Sequence, residues 1–145
     1  MKSPAPIILL VDDYADNRAM YARYLVYAGY RVDEATNGQE ALDKAGEIHP
    51  DLIVMDLSLP VMDGWEATRR LKANPQTKRI PVLALTGHAL GDHEREANAA
   101  GCDGYVTKPC LPEDLVREIR RILDNPPSSS STRKARRSGK YAKTS

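Results

Sequence analysis

Short apolar runs alternate with longer amphipathic runs five times between residues 7 and 125. The apolar runs predict five strands: IILLV (7–11), RVDEA (31–35), DLIVMD (51–56), VLALT (82–86) and YVT (105–107). Each run is too short for a helix, and all except RVDEA are nearly continuous in apolar character, as expected for strands buried on both faces. Strict alternation with helices predicts a parallel sheet covered by helices on both sides. Right-handed crossovers then favour a doubly wound, flavodoxin-like (βα)5 fold with strand order 2-1-3-4-5.

The amphipathic runs predict five helices. The first spans residues 14–28 with one apolar face formed by Met20, Tyr21, Tyr24, Leu25 and Ala28, and Gly29 follows as a C-cap glycine. The others are expected from Asn37 onward, over about 65–73, over about 91–100 and over 113–123. Asp63-Gly64 is typical of a turn, and Trp65 is expected on the surface of the third helix.

Charge divides the chain into unequal parts. Residues 126–145 carry six basic groups and no acidic ones, which leaves fifteen basic against twenty acidic groups, about −5, on residues 1–125. The tail contains almost nothing apolar, so we expect it to be disordered. The predicted organisation is a flexible N-terminus (1–5), one folded domain (6–124) and a disordered basic tail (125–145). No apolar run approaches the ~18 residues of a membrane span, so a cytoplasmic protein is expected, with Cys102 and Cys110 as reduced thiols.

Three carboxylates fall at the ends of two neighbouring strands. Asp12 and Asp13 follow the first strand, and Asp56 ends the third. In the 2-1-3-4-5 order these ends meet at the topological switch point, where such folds bind ligands. The aspartates should therefore lie at the mouth of the core and not buried within it, where they need a cation, most simply Mg²⁺. A purely structural alternative is that Asp12 and Asp13 cap the first helix.

Two further strand ends complete the predicted site. Thr86 ends the fourth strand and Lys108 follows the fifth, on the same edge of the sheet. A carboxylate can act as a nucleophile and form an aspartyl-phosphate, while a hydroxyl and an ammonium group can contact the phosphoryl oxygens. This donor set therefore favours phosphoryl transfer.

The segments VDDYADN, MDLSLPVMDG, ALTGHA and GYVTKP together resemble the response-regulator receiver domain of two-component signalling, over residues 6–124. The resemblance implies that Asp56 accepts a phosphoryl group from a phosphohistidine of a sensor kinase or phosphotransfer protein. It also implies that Asp13 binds Mg²⁺ directly and Asp12 directly or through water, with Asp56 and the Ser58 carbonyl completing the protein ligands. Thr86 and Lys108 would contact the phosphoryl group, and the Lys108-Pro109 bond would be cis.

The same resemblance implies a conformational switch in which Thr86 moves inward and the strand-5 aromatic, Tyr105, turns to fill the space. The output face would cover about residues 91–123 and bind a partner protein. Ser58 and His88 would tune the hydrolysis of the aspartyl-phosphate, although a solvated loop histidine explains His88 equally well. The resemblance therefore implies a stand-alone signalling switch that promotes only its own phosphorylation and dephosphorylation. It does not imply an enzyme that acts on other substrates.

Two other functions compete with this one. An Asp-nucleophile phosphatase of the haloacid-dehalogenase type is disfavoured because its DxD pattern belongs on the first strand, and here the nucleophile candidate is on the third. A regulator that binds nucleic acid through the basic tail stays open, since clustered cations give non-specific affinity. Nucleotide binding is disfavoured because neither GxxxxGK[ST] nor GxGxxG is present.

Overall fold

A computed structural model describes residues 5–57, 64–86, 101–107 and 111–124, with Thr86 described by its backbone alone. The strands are β1 (Ile7–Val11), β2 (Arg31–Ala35), β3 (Leu52–Asp56), β4 (Val82–Thr86) and β5 (Gly104–Thr107). The helices are α1 (Ala15–Tyr27), α2 (Gly38–Ile48), α3 (Gly64–Ala73) and the C-terminal helix (Pro112–Asp124). The predicted helix over 91–100 and the tail over 125–145 lie outside the described residues.

All five strands are parallel and hydrogen-bond in the order β2-β1-β3-β4-β5, which confirms the predicted fold and strand order. Successive residues of each strand point to opposite faces of the sheet. Leu9, Ile53 and Val82 therefore pack with α2 and α3, whereas Ile8, Val54 and Leu83 pack with α1 and the C-terminal helix. The sheet is the middle of three layers, with a core on each side.

Helix ends follow the local chemistry of their capping residues. α2 begins after Asn37, whose side chain accepts a hydrogen bond from the Glu40 N–H at 2.8 Å, so the predicted start is confirmed. α1 ends at Tyr27, and Gly29 has φ +107°, a conformation that favours glycine. Within the described residues, no helix is both long enough and apolar enough to cross a membrane.

Two expectations about helix faces are wrong. Met20 does not face the core: its side chain is 42% exposed, and the buried residues of α1 are Tyr21, Ala22 and Leu25. Apolar residues lie on both sides of α1, so periodicity alone assigned Met20 to the wrong side. Trp65 is half-buried and packs against the core on the α2 and α3 side instead of lying on the helix surface.

Cys102 is buried and free, and its expected state as a reduced thiol stays a prediction. Burial away from water raises the pKa of its thiol to about 12, because the thiolate would lose its hydration. Cys110 lies outside the described residues. Cys102 is therefore a core residue with little thiolate at neutral pH.

Candidate functional site

Asp12 continues the sheet for one residue beyond β1. Its N–H donates to the Ala35 carbonyl at 3.1 Å, and its Oδ1 accepts the Tyr14 N–H at 2.9 Å. The N-cap residue of α1 is Tyr14, which has no side-chain cap. The alternative that Asp12 and Asp13 serve as the N-cap of the first helix is therefore wrong, although Asp12 does shape the turn that leads into it.

Arg18 holds the Asp12 backbone from the second turn of α1. Its Nη1 donates to the Asp12 carbonyl oxygen at 2.8 Å, and its Nε pairs with Glu34 Oε1 at 2.9 Å. The guanidinium thus connects α1, the end of β1 and β2. Sequence patterns gave no sign of this role, because Arg18 and Glu34 are sixteen residues apart and meet only through the sheet.

Asp56 ends β3, where it is paired in register with Leu85 of β4. The ladder continues past it, since the Leu57 N–H donates to the Leu85 carbonyl at 3.0 Å. Gly64, the first residue of α3, lies against this strand end: a Cβ there would come within 2.4 Å of the Asp56 carbonyl oxygen. Gly64 was predicted as half of a turn pair, whereas it is helical, and what it provides is a close approach to the sheet.

The three carboxylates come together as predicted. One oxygen from each of Asp12, Asp13 and Asp56 lies within 4.8 Å of the others. Opposite ligands of an octahedral Mg²⁺ ion are about 4.2 Å apart, so small side-chain adjustments would bring these oxygens around one ion. Carboxylates are the hard oxygen donors that Mg²⁺ prefers. The donor set and its spacing fit a single hard divalent cation.

The expectation that the aspartates stay outside the core is wrong for two of them. Asp12 is 0% exposed and Asp56 is 2% exposed, whereas Asp13 is exposed. The physical reason is that backbone pairing extends one residue beyond β1 and β3, so both strand ends remain inside the packed layers. Clustered charges with little access to water repel strongly, which favours a bound cation.

The remaining predicted site residues are only partly described. The Thr86 backbone ends β4 and is paired in register with Thr107, the residue before Lys108. The side chain of Thr86 and the whole of Ser58, His88, Lys108 and Pro109 lie outside what the structure describes. The predicted roles of these residues, and the cis bond, stay predictions.

Tyr105 lies on β5 in register with Ala84 of β4. Its side chain is half-buried and packs against the core on the α2 and α3 side. It stands two residues before the end of β5, on the strand that leads to Lys108. Its role as a switch is compatible with this position and stays a prediction.

Comparison with known proteins assigns the chain to a family. The model of the response regulator receiver domain matches residues 8–120. The polar-differentiation response regulator DivK of Brucella ovis is 34% identical over 116 residues, covering 80% of this chain and 94% of that protein. The chemotaxis response regulator CheY4 of Vibrio cholerae has a TM-score of 0.78 at 36% identity, covering 81% of this chain and 98% of its own.

A third relative bears on the acidic cluster. The receiver domain of a sensor histidine kinase from Pseudomonas aeruginosa, solved with a magnesium ion coordinated in its active-site cleft, has a TM-score of 0.78 at 35% identity. The match covers 83% of this chain and 99% of that one. With its sheet order, its acidic cluster and these matches, the chain belongs to the response regulator receiver family of two-component signalling.

Proposed function

We propose that this chain is a phosphorylation switch in which Asp56 accepts a phosphoryl group from a phosphohistidine of a sensor kinase or phosphotransfer protein. The observation that carries the proposal is the meeting of Asp12, Asp13 and Asp56 at the carboxyl edge of the sheet. Asp56 is the acceptor candidate because the resemblance to receiver domains assigns that role to the aspartate at the end of the third strand, and Asp56 ends β3. Residues 6–124 form the proposed receiver unit, and residues 125–145 a separate basic tail.

The proposed step is a displacement at phosphorus. A carboxylate oxygen of Asp56 forms the new P–O bond, the P–N bond of the phosphohistidine breaks, and its electron pair returns to the imidazole of the donor. Such transfers depend on positioning and on neutralising the charge of the phosphoryl oxygens. Thr86 and Lys108 are proposed to contact those oxygens, with Ser58 and His88 affecting how long the aspartyl-phosphate lasts.

Asp12, Asp13, Asp56 and the Ser58 carbonyl are the residues proposed to hold Mg²⁺. When bound, the ion supplies positive charge that offsets the carboxylates and the phosphoryl oxygens. The chain itself contributes by fixing the positions of the carboxylates before the ion binds. Asp12 is fixed by its hydrogen bonds to Tyr14 and Ala35, and Arg18 grips its carbonyl.

Signalling is proposed to follow from rearrangement of Thr86 and Tyr105, which would alter the surface over about residues 91–123 and its affinity for a partner protein. This is a two-state equilibrium that an added phosphoryl group shifts. The half-buried position of Tyr105 supports the proposal, because its side chain packs against the core while part of it is exposed to solvent.

The test is phosphorylation by acetyl phosphate, with and without Mg²⁺, followed by intact-mass measurement. We expect Mg²⁺-dependent gain of one phosphoryl group by the wild type and none by Asp56→Asn. Asp51→Asn is the matched control, because Asp51 lies just before the same strand at the opposite edge of the sheet. It should label like the wild type.

A protein donor provides the second arm. If acetyl phosphate leaves the wild type unmodified, a phosphorylated histidine phosphotransfer domain is offered instead. Failure with both donors, or equal labelling of Asp56→Asn, would show that the proposed acceptor is wrong.

A further inference from the structure

The face of α1 that points away from the core carries two large exposed hydrophobic residues. Met20 is 42% exposed and Tyr27 is 84% exposed, and they are seven residues apart on the same side of the helix. Asp16, Ala19, Met20, Arg23 and Tyr27 follow helical spacing and line one shallow groove with Tyr24. The residues that α1 buries, Tyr21, Ala22 and Leu25, lie on its other side. We call the surface formed by Asp16, Ala19, Met20, Arg23 and Tyr27 the outer α1 face.

Two opposite charges are placed symmetrically on the outer α1 face. Asp16 and Arg23 are seven residues apart, about 10 Å along the helix axis, and the midpoint between them falls between Ala19 and Met20. They are too far apart to pair on the same helix, where ion pairs form at spacings of three or four. Within the part of the chain that the structure describes, neither forms a salt bridge.

This pattern is complementary to itself. When two copies of α1 pack antiparallel about a two-fold axis between Ala19 and Met20, Asp16 of each copy lies opposite Arg23 of the other. Two-fold interfaces are built this way, with one patch contacting an identical patch. Ala19 is small enough for close approach at the axis, Met20 packs beside it, and Tyr27 leans back toward the N-terminal end of the second helix.

We propose that the outer α1 face is a homodimer interface, in which a second copy of this chain packs antiparallel against α1. Burial of Met20 and Tyr27 supplies the apolar driving force, and the reciprocal Asp16–Arg23 pairs fix the register. A single helix pair is smaller than a standard interface of about 1,600 Å², so the dimer is weak and forms in the upper micromolar to millimolar range.

The test is sedimentation equilibrium of the full chain across that concentration range. Arg23→Glu and Asp16→Arg each place like charges opposite one another and should raise the dimer dissociation constant roughly tenfold or more. The double variant Asp16→Arg/Arg23→Glu restores opposite charges and should return the constant to within about threefold of the wild type. Arg79→Glu, at an exposed position beyond α3, is the control with the same charge change and should behave as the wild type.

A chemical readout covers the case in which a charge variant fails to fold. Ala19→Cys, in a Cys110→Ser background, places a thiol at the proposed axis and should form a disulfide-linked dimer under mild oxidation. Ala73→Cys, at an exposed position at the end of α3, should do so much more slowly. A wild type that stays monomeric to millimolar concentration, dimerisation that the single charge variants leave unchanged, or equal cross-linking of the two cysteines would overturn the proposal.

Discussion

Gly64 lies so close to Asp56 that a Cβ on the glycine would stand 2.4 Å from the Asp56 carbonyl oxygen and 2.7 Å from the Leu57 Cα. Real Cβ atoms do not approach backbone atoms so closely, and backbone atoms at a strand end cannot rotate away as a flexible side chain can. The first residue of α3 thus rests directly on the strand that presents the proposed phosphoacceptor.

Gly64→Ala should therefore displace the start of α3 or the end of β3. We expect the free energy of unfolding to fall by about 1–3 kcal/mol, as for overpacking of a core, and labelling by acetyl phosphate to slow. Urea denaturation and the labelling assay measure the two effects. Gly46→Ala is the control, since nothing lies within 4 Å of a Cβ at Gly46 in α2. It should stabilise by up to about 1 kcal/mol, and a loss equal to that of Gly64→Ala would refute the packing argument.

The carboxylate cluster should make the protein less stable without Mg²⁺ than with it. Asp13→Asn removes one of the three charges at an exposed position. Without Mg²⁺, it should raise the free energy of unfolding by about 0.5–1 kcal/mol through reduced repulsion. The stabilisation gained on adding Mg²⁺ should become smaller, because the ion loses a ligand.

Thermal unfolding in EDTA and in excess Mg²⁺ measures both changes. Asp43→Asn, at an exposed position on α2, alters the net charge equally and should leave the Mg²⁺ response as in the wild type. An Asp13→Asn variant that Mg²⁺ stabilises as strongly as the wild type would exclude Asp13 as a ligand.

Lys72 connects the end of α3 to the segments that immediately precede β4 and β5. Its Nζ donates to Asp103 Oδ2 at 3.0 Å and to the Ile80 carbonyl at 2.8 Å, and the same Asp103 oxygen accepts the Val82 N–H. The lysine and aspartate side chains are only 19% and 15% exposed. Lys72→Met should lower the free energy of unfolding by about 1–3 kcal/mol, because it leaves a poorly hydrated carboxylate without its cation.

Urea denaturation with Lys78→Met as the control checks this. Lys78 is exposed and six residues along the chain, so its substitution should change stability by less than about 0.5 kcal/mol. Similar losses in the two variants would mean that the contacts of Lys72 contribute little.

Glu40 should give the protein a specific loss of stability in acid. Its Oε1 accepts hydrogen bonds from the N–H and the hydroxyl of Thr36, and the backbone bond is the main cause of the lowered pKa of this carboxyl. The folded pKa is lower than the unfolded one. The stabilisation is therefore complete above about the ordinary value of 4.5 and disappears as pH falls through the folded pKa.

Glu40→Gln should accordingly be less stable than the wild type at neutral pH and equally stable once the folded carboxyl is protonated. Thermal unfolding as a function of pH measures this difference. Glu47→Gln, an exposed position on the same helix, should run parallel to the wild type throughout. A pH-independent deficit in Glu40→Gln would instead indicate a packing effect.

The strand order and the meeting of Asp12, Asp13 and Asp56 could be predicted, because both follow from the alternation of strands and helices along the chain. Apolar runs mark the strands, right-handed crossovers order them, and carboxyl ends of parallel strands share one edge. Helix starts with a side-chain cap were also predictable, as at Asn37. Each of these signals lies within a few neighbouring residues or in the order of the elements.

The features that escaped prediction depend on distances across the fold. Burial of Asp12 and Asp56 depends on how far backbone pairing runs beyond each strand, which residue types do not encode. Met20 has the spacing of a core residue yet faces outward. The contact between Lys72 and Asp103 spans thirty-one residues, and it exists only because α3 and β5 converge on the start of β4.

The edge strand β2 restricts how this protein can associate. Three of its five residues are charged, namely Arg31, Asp33 and Glu34, and the Lys44 ammonium donates a hydrogen bond to the Glu34 carbonyl oxygen at 2.5 Å. Charged edges of this kind discourage the addition of another strand, the route to runaway sheet growth. Near β2, partner proteins can therefore be bound only through side chains on the neighbouring helices. Single substitutions can then change the binding affinity without creating a strand edge that promotes fibrillar aggregation.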